Sequence, residues 1–150
     1  MNKINIRPAV RTDCPRLMEL VQELATFERE PDAVTVTPEH FEESGFGANP
    51  VWWAIVAEVD GLVVGFALYY IRYSTWKGQR MFLEDLIVTE EHRGKGIGKL
   101  LLDELIVIAR EKGFSGMLWQ VLDWNEPAIK FYEKYHAKFD PQWVNVSIDF

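Results

Sequence analysis

The chain has 150 residues, 48% of them hydrophobic and 26% charged, with a formal charge of -7. That length fits one domain around a single core, and the composition excludes a disordered chain. The acidity argues against nonspecific nucleic-acid binding, which needs a basic surface, and favours a small cationic substrate.

Residues 3 to 8, KINIRP, alternate as a strand does and stop at Pro8. Thr12 or Asp13 then caps a helix with Pro15 in its first turn. Cys14, Leu17, Met18, Val21, Leu24 and Ala25 recur at helical spacing and form its buried stripe, which fades near Phe27 to Pro31. Cys14 is the single cysteine, so no internal disulfide is expected and a reducing, cytoplasmic setting suits the chain. The polar start MNKINIRPA shows no secretory signal. Thr37-Pro38 opens a short second helix that ends by Gly45 or Gly47.

Two strand-like runs follow, VWWAIVAEV and LVVGFALYYIRY, with Asp60-Gly61 between them as a hairpin signal. The second contains the longest apolar run, LVVGFALYYI, far short of the roughly 20 residues a membrane helix needs. RMFLEDLIV (80 to 88) reads as a fourth strand. A helix from Gly96 to Lys112 places Ile97, Leu101, Leu105, Ile108 and Ala109 on one face, with Gly113 to end it. GMLWQVL (116 to 122) is a fifth strand, a helix runs from Asn125 to Tyr135, and QWVNVSIDF closes as a last strand. The order is neither a strict βαβ series nor all-β. It predicts an α+β fold: a mixed, largely antiparallel sheet with helices on both faces.

Three glycines at alternate positions, Gly94, Gly96 and Gly98, join the fourth strand to the helix after it. A strand entering a helix through glycines presents unpaired N–H groups at the positive end of the helix dipole, with no Cβ to keep an anion away. Phosphate is the usual occupant of such a site. Arg93, Lys95 and Lys99 add positive charge around it. Neither the P-loop pattern nor the dinucleotide fingerprint fits, since Leu100 follows Lys99 and no glycine stands at 99 or 101.

Arg93, Gly96 and Gly98 do read as R-x-x-G-x-G directly after a strand, and Asn125, Ala128 and Tyr132 as N-x-x-A-x-x-x-Y. In both motifs the sequence resembles the GNAT acyltransferase superfamily, whose element order is also the one predicted above. The segments IRPA, FGANP, VVGFALYY, LEDLIV, RGKGIG and WNEPAIKFY are similar to the diamine (spermidine/spermine) N-acetyltransferase branch. The resemblance implies a single GNAT domain over residues 1–150, a three-layer α/β/α arrangement, acetyl-CoA as cosubstrate and no metal. It also implies a homodimer that uses the last strand. The tail is shorter, and the stretch YHAKFDPQWVNV less acidic, than in the eukaryotic members of that branch.

The cofactor residues implied are Arg93, Gly94, Lys95, Gly96, Ile97, Gly98 and Lys99 for the pyrophosphate, with Asn125, Pro127 and Ala128 for the pantetheine. Leu86, Ile87 and Val88 would act through their peptide groups, one N–H polarising the acetyl carbonyl. An alkyl ammonium, with a pKa of about 10.4, must lose a proton before it can attack a thioester. Glu84 is implied as the group that binds the amine and accepts that proton, through water. Asp85 touches the substrate or pairs structurally, because strand alternation sends neighbours to opposite faces. Phe27, Glu28 and Trp76 are the remaining candidates for the amine site, and Tyr132 is the general acid for the CoA thiolate. His40, His92 and His136 lack metal-ligand spacing.

The function implied is acetyl transfer to a primary amine of a small polyamine or diamine. An amino acid with a distal amine such as a lysine analogue, a peptide amine, and a non-catalytic acyl-CoA-binding module are the alternatives.

Overall fold

The computed structural model describes residues 3–150. In chain order its elements are β1 (Ile4–Pro8), α1 (Cys14–Phe27), α2 (Pro38–Phe46), β2 (Trp53–Val59), β3 (Leu62–Ser74), β4 (Gly78–Val88), α3 (Ile97–Glu111), β5 (Met117–Trp119) and α4 (Glu126–Glu133). Short 3-10 turns precede α1 (Arg11–Asp13) and follow β4 (Glu90–His92). Of the described residues, 3–119 and 120–150 form two compact units, the second holding α4.

The sheet runs β1-β2-β3-β4-β5. The first three pairings are antiparallel and β4 with β5 is parallel, as a mixed, largely antiparallel sheet requires. Asp60 and Gly61 both have positive φ at the β2–β3 turn, the geometry an Asp-Gly hairpin needs. Val56, Phe66 and Ile87 pack with Leu17 and Leu20 of α1 and Phe41 of α2 on one face. Ile55, Ala57 and Ala67, their alternates on the same strands, are buried on the other face, where α3 packs. There Ile97, Leu101, Leu102, Leu105 and Ala109 are buried, each large side chain worth about 1.5–3 kcal/mol in apolar burial.

Asp13 precedes α1 as expected but does not cap it. Its carboxylate accepts from the Val10 N–H at 2.8 Å and from Arg7 Nη1 at 2.8 Å, and Arg7 also reaches Glu58 on β2. The Arg7 bond holds the Asp13 carboxyl below its ordinary range. This triad fastens the start of α1 to the sheet edge.

Three sequence expectations fail in detail. Residues 116 to 122 give only the three-residue β5, and α4 stops at Glu133, two residues early. QWVNVSIDF forms no strand. A strand exists only where a partner pairs with it, and no described residue of this chain pairs with that segment. Its Val144, Val146 and Ile148 stay exposed.

Candidate functional site

The site begins with a defect in β4. The pairing of β3 with β4 runs Leu68 to Asp85 and then Tyr69 to Leu83, which leaves Glu84 as an inserted residue. Such a bulge resets the alternation of side chains. Met81 and Leu83 are buried on the α3 side, yet Ile87 joins the core on the α1–α2 side. Glu84 and Asp85 therefore do not point to opposite faces, as plain alternation predicted. Both line one cavity of about 300 Å³ with Met18, Val21, Phe41, Trp52, Leu68 and Tyr70.

The walls of this cavity are apolar apart from those two carboxylates and the Tyr70 hydroxyl, which donates to Glu84 Oε1 at 3.2 Å. Burial, then the charges of Glu84 and Glu28, push the Asp85 carboxyl up to about 7. Burial also raises Glu28, just past the end of α1, and Tyr70. A group that brings positive charge into this pocket relieves a mutual repulsion already present.

Beyond the bulge, from Leu86 to Val88, β4 offers backbone groups rather than charged side chains. β5 pairs with β4 at Met81, Phe82 and Leu83, so from Glu84 to Val88 no strand among the described residues pairs with that edge. Thr89 N donates to Val64 O, so the alternate residue Ile87 also turns its peptide groups to β3 and is buried as a side chain. Leu86 and Val88 turn theirs to the open edge, where the Val88 carbonyl accepts from Arg93 Nε. The chain then turns through the 3-10 turn into Gly94 (φ 77°) and Gly96 (φ 81°), both left-handed. A Cβ built on either glycine meets nothing within 4 Å, so open space lies above the loop.

Gly96 precedes α3 with no side-chain cap, and no acid stands in the first turn. The first N–H groups of α3 thus keep their positive end for an external anion. Ile97 is 2% exposed and contributes only its peptide. Lys99 lies outside and pairs with Asp103 at 2.6 Å. Left-handed glycines, open space and a bare helix start fit a pyrophosphate, and the uncovered β4 edge fits an amide-bearing arm such as pantetheine.

Other residues singled out by sequence fall elsewhere. Arg93 does not face the open side of the loop alone: its Nε donates to Val88 O at 2.9 Å and its guanidinium lies 5.2 Å over the Phe27 ring. Trp76 sits in the β3–β4 turn, 85% exposed and outside the cavity lining. In the second unit, the Asn125 side chain caps α4 by accepting from Ala128 N at 3.4 Å, with Pro127 in the first turn. Tyr132 is buried, its ring 5.4 Å from that of Phe131. Sequence reasoning missed Tyr70 and the wall formed by Phe41 and Trp52. The one available signal for Tyr70 was its place on β3 near the strand carrying the acids.

Among the described residues, no group of three or more His, Cys, Asp or Glu could hold a metal ion, and no helix is long and apolar enough to cross a membrane.

Residues 15–137 match the model of the acetyltransferase (GNAT) family. Thialysine N-epsilon-acetyltransferase of Bos taurus is 38% identical over 143 residues, covering 90% of this chain and 84% of that protein. The human spermidine/spermine N(1)-acetyltransferase-like protein 1 is 37% identical over 139 residues, covering 88% of this chain and 20% of that longer protein. An aminoglycoside acetyltransferase from an uncultured soil metagenomic sample, 20% identical, superposes with a TM-score of 0.80 over 98% of this chain and 96% of its own, a likeness of fold. With the family model matched over residues 15–137 and curated N-acetyltransferases 36–38% identical across most of the chain, the chain belongs to the GNAT acetyltransferase family and is an acetyl-CoA-dependent N-acetyltransferase.

Proposed function

We propose that the chain acetylates a primary amine of a small cationic substrate, of diamine or polyamine type, by direct attack on the thioester. The observation that carries this reading is the bulge at Glu84, which turns two adjacent carboxylates into one apolar cavity. An alkyl chain ending in ammonium matches such a lining: methylenes against Met18, Val21 and Phe41, the cation against the acids. No lining residue is cationic, so the carboxylate of an amino acid substrate would have to lie outside the cavity. The relatives named for thialysine and for spermidine/spermine bracket the same choice.

Acetyl-CoA supplies the acyl group as a thioester. The loop from Gly94 to Lys99 and the Asn125–Ala128 segment hold the cofactor, and the β4 edge from Leu86 to Val88 orients its arm and the acyl oxygen. Glu84 takes the ammonium proton, through water, which frees the nitrogen lone pair. Asp85 offsets the substrate charge, with Phe27 and Glu28 at the end of α1 bordering the amine site; the exposed Trp76, in the β3–β4 turn, takes no part. Tyr132 donates its phenolic proton to the departing sulfur.

A panel of amines read by free-thiol release tests the function. The expected order is diamines and polyamines first, lysine analogues next, peptide amines last. Turnover of peptides alone, or of nothing, would overturn it. Tyr132→Phe tests the acid: kcat should fall by about 10²-fold with KM for acetyl-CoA little changed. A kcat within about twofold of the parent, with chemistry rate-limiting, would remove Tyr132 from the mechanism.

The single buried cysteine and the acidic charge suit action in the cytoplasm. The exposed alternating tail supports assembly as a homodimer, because Val144, Val146 and Ile148 form an apolar row that needs a partner. Sedimentation at micromolar concentration should give the mass of two chains, and a monomer there would refute the dimer.

A further inference from the structure

One buttress in the first unit serves neither core nor cavity. Glu23 lies one helical turn before Phe27 on α1, and its carboxylate reaches across to the segment that leaves β4. It accepts from Thr89 Oγ1 at 3.0 Å and from the Glu90 N–H at 2.9 Å, and Arg93 Nη2 stands 3.9 Å away. Arg93 in turn donates to Val88 O and covers the Phe27 ring. Residues Thr89 to Arg93 form the only covalent link between the β4 edge and Gly94, where the loop turns left-handed. Backbone bonds alone fix the far side of this link, Thr89 N to Val64 O at 2.8 Å and His92 N to Thr89 O at 2.9 Å.

We propose that Glu23 is a positioning residue for the cofactor loop: its carboxylate clamps Thr89 and Glu90 and, with Arg93, sets where the glycine loop and the bare start of α3 stand. Arg93 then acts chiefly as a strut between that loop and α1, and only secondarily as a phosphate ligand. The physical ground is that a preorganised anion site loses affinity when its backbone must be ordered on binding. A charge-assisted bond to a loop N–H is among the stronger devices for ordering it beforehand. This inference rests on the reading of the loop as the CoA pyrophosphate site.

The test measures CoA binding by calorimetry and steady-state kinetics in the whole chain, beside hydrogen exchange of the Glu90 amide without CoA. Glu23→Ala should raise the CoA Kd about tenfold, which is about 1.4 kcal/mol. It should also speed Glu90 exchange, while kcat at saturating acetyl-CoA stays within about threefold. Glu23→Gln, which still accepts a hydrogen bond, should restore most of the affinity, and Thr89→Val should weaken CoA in the same direction by a smaller factor. If Glu23→Ala does not fold, Glu23→Gln and Thr89→Val carry the test from the two ends of the same bond. An unchanged CoA Kd in Glu23→Ala and Thr89→Val, while Gly96→Val weakens it, would overturn the role of Glu23. A joint loss of melting temperature, kcat and Kd without rescue by Gln would also overturn it, as a mere folding role. CoA binding to Gly96→Val as tight as to the parent would overturn the loop reading underneath.

Discussion

On the proposed function, β4 and the loop beyond it serve two ligands by different means. Up to the bulge the site consists of side chains, Glu84 and Asp85 with Tyr70 opposite, and its character is negative. Beyond the bulge it consists of peptide groups, the uncovered edge to Val88 and the bare start of α3, and its character is positive. The contrast with α2 sharpens this: Thr37 caps that helix from its own side chain, at 3.1 Å from His40 N, and Glu39 stands in its first turn. Where the chain needs only a helix, it supplies the cap itself. At α3 it supplies no side-chain cap.

The largest expected effect attacks the backbone half. Gly96→Val forces a β-branched residue to φ 81°, where L side chains are strained by roughly 1–2 kcal/mol, and puts methyl groups into the open space above the loop. KM for acetyl-CoA should rise on the order of 10²-fold, with KM for the amine far less affected. Equal damage to both would break the division between halves.

Next comes the side-chain half. Asp85→Asn should raise KM for the amine by about tenfold and leave CoA binding unchanged. Asp85 also carries a pH signature. Its carboxyl holds a proton up to about 7 in the folded chain but releases it near the ordinary value of 3.8 when unfolded. The folded state therefore binds more protons across that window, so this group makes stability fall as pH rises from about 4 to about 7. Denaturant midpoints should show that slope in the parent and lose it in Asp85→Asn. A cationic substrate draws the carboxyl back to its charged form, so binding near pH 6 should release a proton, seen by calorimetry in buffers of different ionisation enthalpy. The absence of that release would separate Asp85 from the amine.

The smallest effect sharpens the comparison most. Gly98 lies inside the first turn of α3 with ordinary helical backbone. Gly98→Ala should stabilise the helix by about 0.5–1 kcal/mol while weakening acetyl-CoA a few-fold, if a ligand needs the bare backbone there. A gain in melting temperature with unchanged KM would show that Gly98 makes no such room.

The two halves differ in how far they can be read from sequence, for the same reason that they differ in chemistry. Gly94 and Gly96 were legible because glycines at a helix start stand out in residue type as bare backbone; that both are left-handed came only with the structure. The bulge at Glu84 was not, because register depends on which residue of β3 stands opposite, and Leu68 and Tyr69 look alike in a run of apolar residues. Alternation consequently sent Glu84 and Asp85 to opposite faces. Glu23 was invisible for a related reason: its partners lie 66 and 67 positions away. QWVNVSIDF shows the converse failure. Its pattern is a strand pattern, but a pattern supplies no partner strand, and the tail joins no ladder among the described residues; its Asn145 Oδ1 accepts from Gln120 Nε2 at 2.8 Å. Asp13 stood where a cap belongs, and Arg7 took its carboxylate instead.

The uncovered edge of β4 has a consequence for how such an enzyme can change. Every residue but proline carries the same peptide groups, so nearly all point substitutions at Leu86 or Val88 alter the lining without removing the hydrogen-bonding groups themselves. Proline, or an insertion or deletion that shifts the register, is what would erase them. The cavity before the bulge has no such protection: one codon at Glu84, Asp85 or Tyr70 rewrites its charge or its length. Diversification in this architecture should thus run along the acceptor side, with new amines reached in single steps, while the acyl donor stays fixed by a surface that mutation can hardly reach.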